Sequence, residues 1–194
     1  KQNGPLTGVF RTWGWILLLW SLYRYFFHLP EAVDELVFKP LIFLGPLLWY
    51  VLRVEKRDLK SLGLHTKNIV TSLYIGLGIG FLFALEGIAA NFLKYGEISI
   101  NPLTVLKDYG IWFLVISLFT ALTEEILARG FLFSRFYEKS KENLIYATLY
   151  SSAMFLALHI PILLTSQKFQ GSTLVMYFAT TIVISFANSI VYRY

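Results

Sequence analysis

The sequence contains no cysteine at all, which excludes disulfides, thiolate metal sites and a cysteine nucleophile. It is also poor in charge: 15% of its 194 residues are Asp, Glu, Lys or Arg, where a soluble domain has about 25%. Histidine is scarce too, with only His28, His65 and His159. What charge there is gathers in short stretches between long apolar runs, the pattern of a chain solvated by lipid rather than by water. The net charge of +5 does not indicate a nucleic-acid partner, because the basic residues flank apolar runs and form no single polar face.

What is present in abundance is hydrophobic and aromatic sequence, 56% and 18% of the chain. It divides into six candidate spans near 10–27, 37–54, 69–90, 109–136, 143–164 and 172–192. A helix crosses the hydrocarbon with about 20 residues, so the expected fold is all-α, a polytopic bundle of about six membrane helices in a single domain over 1–194. The third span carries Gly76-x-x-x-Gly80 with Gly78 and Gly87, and is expected to pack closely against a neighbouring helix. Placing the N-terminus in the cytoplasm puts twelve basic residues on the inner side and five on the outer, Arg24 and Lys39 among the latter. Glu31, Asp34 and Glu35 make the expected loop at 28–36 acidic. The first residue is lysine, so a trimmed N-terminus is expected. The first apolar run lacks a small-x-small cleavage pattern and reads as a membrane helix rather than a signal peptide.

Two groups of polar residues interrupt the apolar runs. In the fourth span, Glu124, Glu125 and Arg129 have apolar sequence on both sides. A charge at mid-membrane costs roughly 2.5–3.5 kcal/mol on the insertion scale, so pairing or a wet cavity must offset it. Glu125 and Arg129 stand four residues apart with the acid first, the favourable order for an ion pair. Glu124 is rotated about 100° from Glu125 on an α-helix and is expected to stay out of that pair, an unpaired carboxylate suited to general-base work. The same three charges could equally form a structural cluster that locks helices together.

In the fifth span, His159 is the single histidine within an apolar run. It could be a hydrogen-bonded packing residue or the strong nitrogen base of a site at membrane depth. Phe155 lies one turn earlier on the same face and could wall that site, and Pro161 frees carbonyls and bends the helix close by. Helical rise puts Glu124 about 20 Å and His159 about 25 Å above a common membrane face if the fourth helix continues past Arg129, bent at Gly130.

Glu124-Glu125-Ile-Leu-Ala-Arg129 resembles the Glu-Glu-x-x-x-Arg motif of the CAAX-protease and bacteriocin-processing (Abi) family, and Phe155-Leu-Ala-Leu-His159 resembles its Phe-x-x-x-His motif. The resemblance covers residues 109–194 and implies an all-helical membrane peptidase, in a family that typically has about eight helices. It implies that Glu124 activates water, that His159 positions the water or stabilises the oxyanion, and that Glu125, Arg129 and Phe155 support them. It implies a protein or peptide substrate at the membrane lipid, of CAAX or bacteriocin type and open to lipidation. It also implies a multi-pass location in a prokaryotic plasma membrane. Carboxylates and a histidine could ligate zinc, but one intramembrane histidine argues for a site with no metal or other cofactor. The family's third motif, a later histidine followed by asparagine or aspartate, has no counterpart after His159, so the domain is expected to continue past Tyr194. Two other function classes remain open: an inactive scaffold or bacteriocin-immunity protein of the same fold, and a transporter in which Glu124, His159 and the isolated Glu86 carry protons.

Overall fold

A computed structural model describes residues 5–65, 69–96, 101–165 and 171–193. The fold is all-α: no strand occurs among the described residues. Helix α1 is Pro5–Phe26 and α2 is Glu31–Val54. Helix α3 is Ile69–Tyr95, and α4 covers Asn101–Glu125, with a kink inside it, followed by Ile126–Phe133 and Ser134–Lys139. Helices α5, α6 and α7 are Leu144–Ala157, Ile160–Thr165 and Ser172–Arg193. Three stretches have the length and hydropathy to cross a membrane, Glu31–Val54, Gly110–Lys139 and Leu144–Thr165, and Ile69–Leu85 is a shorter apolar helix. Exposed Leu41 and Trp49 on the first of these stretches, Trp112 on the second and Ile145 on the third give them a surface that suits lipid and not water. The chain is an integral membrane protein.

The chain forms two compact units, Lys1–His65 with Phe119–Tyr194, and Thr66–Leu118. In the second unit, α4 kinks at Gly110, whose φ of 64° and ψ of −160° only glycine adopts readily. Among the described residues, a Cβ built on Gly76, Gly78 or Gly80 of α3 meets nothing within 4 Å. The side chains of Glu86, Lys94 and Lys107, the residue Gly87 as a packing position, and Lys1, Lys67 and Lys168 lie outside the described residues.

The first unit is a bundle around a core that includes Ile16, Leu47, Val51, Leu127, Phe131, Leu132 and Phe136. Helix α2 begins earlier than its hydropathy suggests. Asp34 and Glu35 are helical rather than part of an acidic loop, because each finds a cation within reach. Asp34 accepts from Arg24 at 2.7 Å and from the Tyr23 hydroxyl, and Glu35 accepts from Lys39 one helical turn on at 2.8 Å. Arg24 and Lys39 are therefore buried partners of acids.

Helix α4 continues past Arg129, as the depth argument requires, but by widening rather than by a simple bend. Its segment Ile126–Phe133 is π-helical and all eight of its residues are buried. Such segments insert an extra residue per turn and re-aim the side chains around them. Gly130 sits here against the turn Leu59–Leu62, where a Cβ would lie 2.5 Å from the Leu62 carbonyl oxygen. The Ser134 hydroxyl lies 2.6 Å from the Gly130 carbonyl and 2.9 Å from that of Arg129, so it offers a donor to backbone acceptors that the wide turn loosens. Arg135 fastens the same turn, donating to both Glu55 carboxylate oxygens and to the Ser61 carbonyl.

The fifth span is broken. Helix α5 ends at Ala157, Leu158 and His159 form a turn, and α6 restarts at Ile160 with Pro161 behind it. The break leaves carbonyls without helical donors, and α1 supplies two. The indole N–H of Trp13 donates to Met154 O and that of Trp20 to Leu158 O, both at 3.1 Å.

Candidate active site

A cavity of about 190 Å³ opens where α1, α2, α4, α7 and the α5–α6 break come together. Its polar lining consists of Glu35, Lys39, Glu124, His159 and Tyr177, and Trp20, Phe43 and Leu158 are among its apolar walls. The structure thus brings Glu124 and His159 to one pocket from two different helices.

Each polar group has a distinct setting. Glu124 stands clear of the Glu125–Arg129 pair, but it is not unpaired as the sequence reading expects: Lys39 Nζ lies 2.7 Å from its Oε1. The reason is that α2 enters the bundle early enough to carry Lys39 inside. That ammonium also holds Glu35 Oε2 at 2.8 Å, and Thr120 donates to the same oxygen at 2.6 Å. The result is a chain Thr120–Glu35–Lys39–Glu124 that ends at the cavity. Lys39 and Glu35 side chains are only 8% and 15% exposed, so this is a desolvated cluster in which the two acids and one cation depend on each other.

His159 Nδ1 lies 3.0 Å from the Phe155 carbonyl oxygen. A carbonyl can only accept, so Nδ1 carries the proton, and Nε2 of the neutral ring is left as an acceptor. Phe155 packs edge-on to the His159 ring at 4.6 Å and carries the Arg129 guanidinium over its face at 5.5 Å. It stands behind the histidine and is not part of the cavity wall described above, which corrects the expectation that it walls the site.

Glu125 and Arg129 lie away from the cavity lining. Arg129 is 2% exposed, pairs with Glu125 Oε1 at 3.1 Å and donates to the Ser185 carbonyl at 3.0 Å. Asn188 donates to the same Glu125 oxygen at 2.8 Å, and Ser152 and Ser185 share a hydrogen bond of 2.7 Å. These contacts tie α4, α5 and α7 together behind the pocket. Among the described residues, no three His, Cys, Asp or Glu side chains converge into a group that would hold a metal ion.

Residues 107–194 match the Rce1-like family of type II CAAX prenyl endopeptidases. This segment carries a domain of the CAAX-protease family. The matched segment holds Glu124, Glu125, Arg129, Phe155 and His159, the residues that carry the two sequence motifs, and α7 behind them. The match supports a membrane protease in general terms, with a protein or peptide substrate at the membrane. No curated protein and no solved structure matches it. The cavity draws on more than the matched segment, since Trp20, Glu35, Lys39 and Phe43 come from α1 and α2. Sequence reasoning missed them as site residues. The signal that could have found them was the Glu35–Lys39 spacing at the head of an apolar run, a helical ion pair that reads as loop charge when the helix start is placed too late.

Proposed function

We propose that this protein is an intramembrane endopeptidase that hydrolyses a peptide bond of a membrane-associated, CAAX-type or bacteriocin-type substrate with a water activated by Glu124. The observation that carries this reading is the shared cavity: Glu124 and His159 face one space with room for water and a peptide carbonyl. Glu124 takes the proton of that water as it attacks the carbonyl carbon, and returns it to the leaving nitrogen. His159, fixed by Phe155 in the tautomer that leaves Nε2 an acceptor, accepts a hydrogen bond from the water's other O–H, which stays on the oxygen, and so aims its lone pair. Glu125, Arg129 and Phe155 hold this geometry without touching substrate. The reading includes a cytoplasmic N-terminus and a site that works without a metal.

The test is cleavage of an internally quenched farnesylated CAAX peptide by the purified protein in liposomes. Glu124→Gln should lower kcat by about 10²–10⁴-fold, the usual worth of a general base. Cleavage by that variant at the parental rate would defeat the mechanism. The Lys39–Glu124 contact favours a second reading, an inactive scaffold whose charges only lock helices. A well-folded parent protein that cleaves neither the farnesylated nor the unmodified peptide would support it.

A further inference from the structure

Lys39 has no part in either sequence motif, lies outside the segment that matches the family, and is nonetheless in the cavity between two acids. It lies within a candidate membrane span, where a charge is costly unless it does something. Its ammonium has three donors, and two of them are occupied, by Glu35 and Glu124. A lysine whose purpose was to neutralise one acid would need only one of these carboxylates. Here Glu35, itself held by Thr120, anchors the ammonium from one side, while its other contact is to the proposed base.

We propose that Lys39 is the electrophile of the site: it donates to the oxygen of the scissile carbonyl and stabilises the oxyanion of the tetrahedral intermediate. This deepens the hydrolysis reading and rests on it. The bond changes balance without any further reactant. The water oxygen bonds to the carbonyl carbon, its proton passes to Glu124, and the C=O π pair moves onto the oxygen as negative charge. On collapse that pair re-forms C=O, the C–N bond breaks, and the nitrogen takes the proton back from Glu124. The products are a carboxylic acid and an amine.

The geometry couples the two halves of the step. As Glu124 accepts the proton it loses the charge that holds Lys39 at 2.7 Å. The same step places an equal negative charge on the substrate oxygen. Lys39 exchanges one anion for another, so the cluster around it keeps its charge throughout, and the anchor on Glu35 spares it a large displacement. Donors already aimed where charge develops are the most effective kind of transition-state stabilisation.

The test uses the full chain in liposomes with two probes. One is the farnesylated CAAX peptide, and the other is its phosphinate analogue, in which an anionic tetrahedral group replaces the scissile amide. The charge-balanced variant Lys39→Met/Glu35→Gln and the single variant Lys39→Gln are compared with the conservative Lys39→Arg. Expected for the first two is a loss of kcat of about 10²–10³-fold. Phosphinate affinity should fall in parallel, while affinity for the uncleaved peptide stays within about threefold. Lys39→Arg should recover most of both losses. A purely structural lysine would weaken both probes alike, and that result overturns the proposal, as does an unchanged kcat in either neutral variant. Should the double variant lose its thermal transition, Lys39→Gln decides by the same criteria. Phosphinate binding is read without turnover, so a failure of Glu124→Gln to slow cleavage sinks the hydrolysis reading separately from the assignment of Lys39.

Discussion

The Trp20 indole donates its N–H to the Leu158 carbonyl at 3.1 Å, at the residue immediately before His159. Trp20 is buried, and Phe43 packs edge-on against it at 5.2 Å, with Tyr23 stacked at 5.8 Å. The break that aims the histidine is therefore held from α1. Trp20→Phe keeps most of the packing and removes the donor. It should cost about 1–3 kcal/mol for the orphaned carbonyl and lower kcat more than it raises KM. Thermal unfolding and steady-state cleavage, measured on the same preparation, check this. Unaltered turnover in a destabilised protein would make Trp20 a packing residue only.

Removing His159's free nitrogen tests its role directly. His159→Phe retains a ring against Phe155 but offers no acceptor to water. The expected loss in kcat is about 10²-fold or more, with a melting temperature close to the parent's. Equal loss of stability and activity would point to packing instead.

Arg129 should matter for stability first. Its guanidinium is fully enclosed and joins Glu125, the Ser185 carbonyl and the Phe155 ring. Arg129→Met leaves Glu125, whose side chain is 39% exposed, with only Asn188, and should destabilise by about 1.5–3 kcal/mol for the charge-assisted hydrogen bonds of the guanidinium. The double variant Arg129→Met/Glu125→Gln should regain a large part of that loss. Thermal melts of the singles and the double, compared as a cycle, give the coupling.

Gly130→Ala should be far worse than its size suggests. The new methyl would meet the Leu62 carbonyl oxygen at 2.5 Å. Backbone must move, at a cost of about 1–3 kcal/mol. The turn Leu59–Leu62 should then loosen, and limited proteolysis should cut near it sooner than in the parent.

Much of this was legible from residue spacing. The Glu125–Arg129 pair follows from helical geometry, and both motifs stand on the helices expected to carry them. The interruption at Pro161 follows from its missing N–H. Less legible was the start of α2. Hydropathy alone treats Asp34 and Glu35 as reasons to leave the membrane, because a windowed average cannot know that each charge meets an opposite one. The widened turn at Ile126–Phe133 has no sequence signal of its own beyond a glycine. Phe155 lay one turn from His159 as expected, and its ring packs edge-on to the histidine outside the cavity lining.

The sequence by itself determined the solvent, the helical class and the acid–histidine pair, because lipid admits few backbone solutions and few buried charges. Tertiary structure decided what those groups face. Only the packing of α2 against α4 carried Lys39 to Glu124, and only α1 supplied the donors that hold the break beside His159. Both are contacts between residues far apart in the chain, set by how side chains fill the bundle, and no local pattern encodes them.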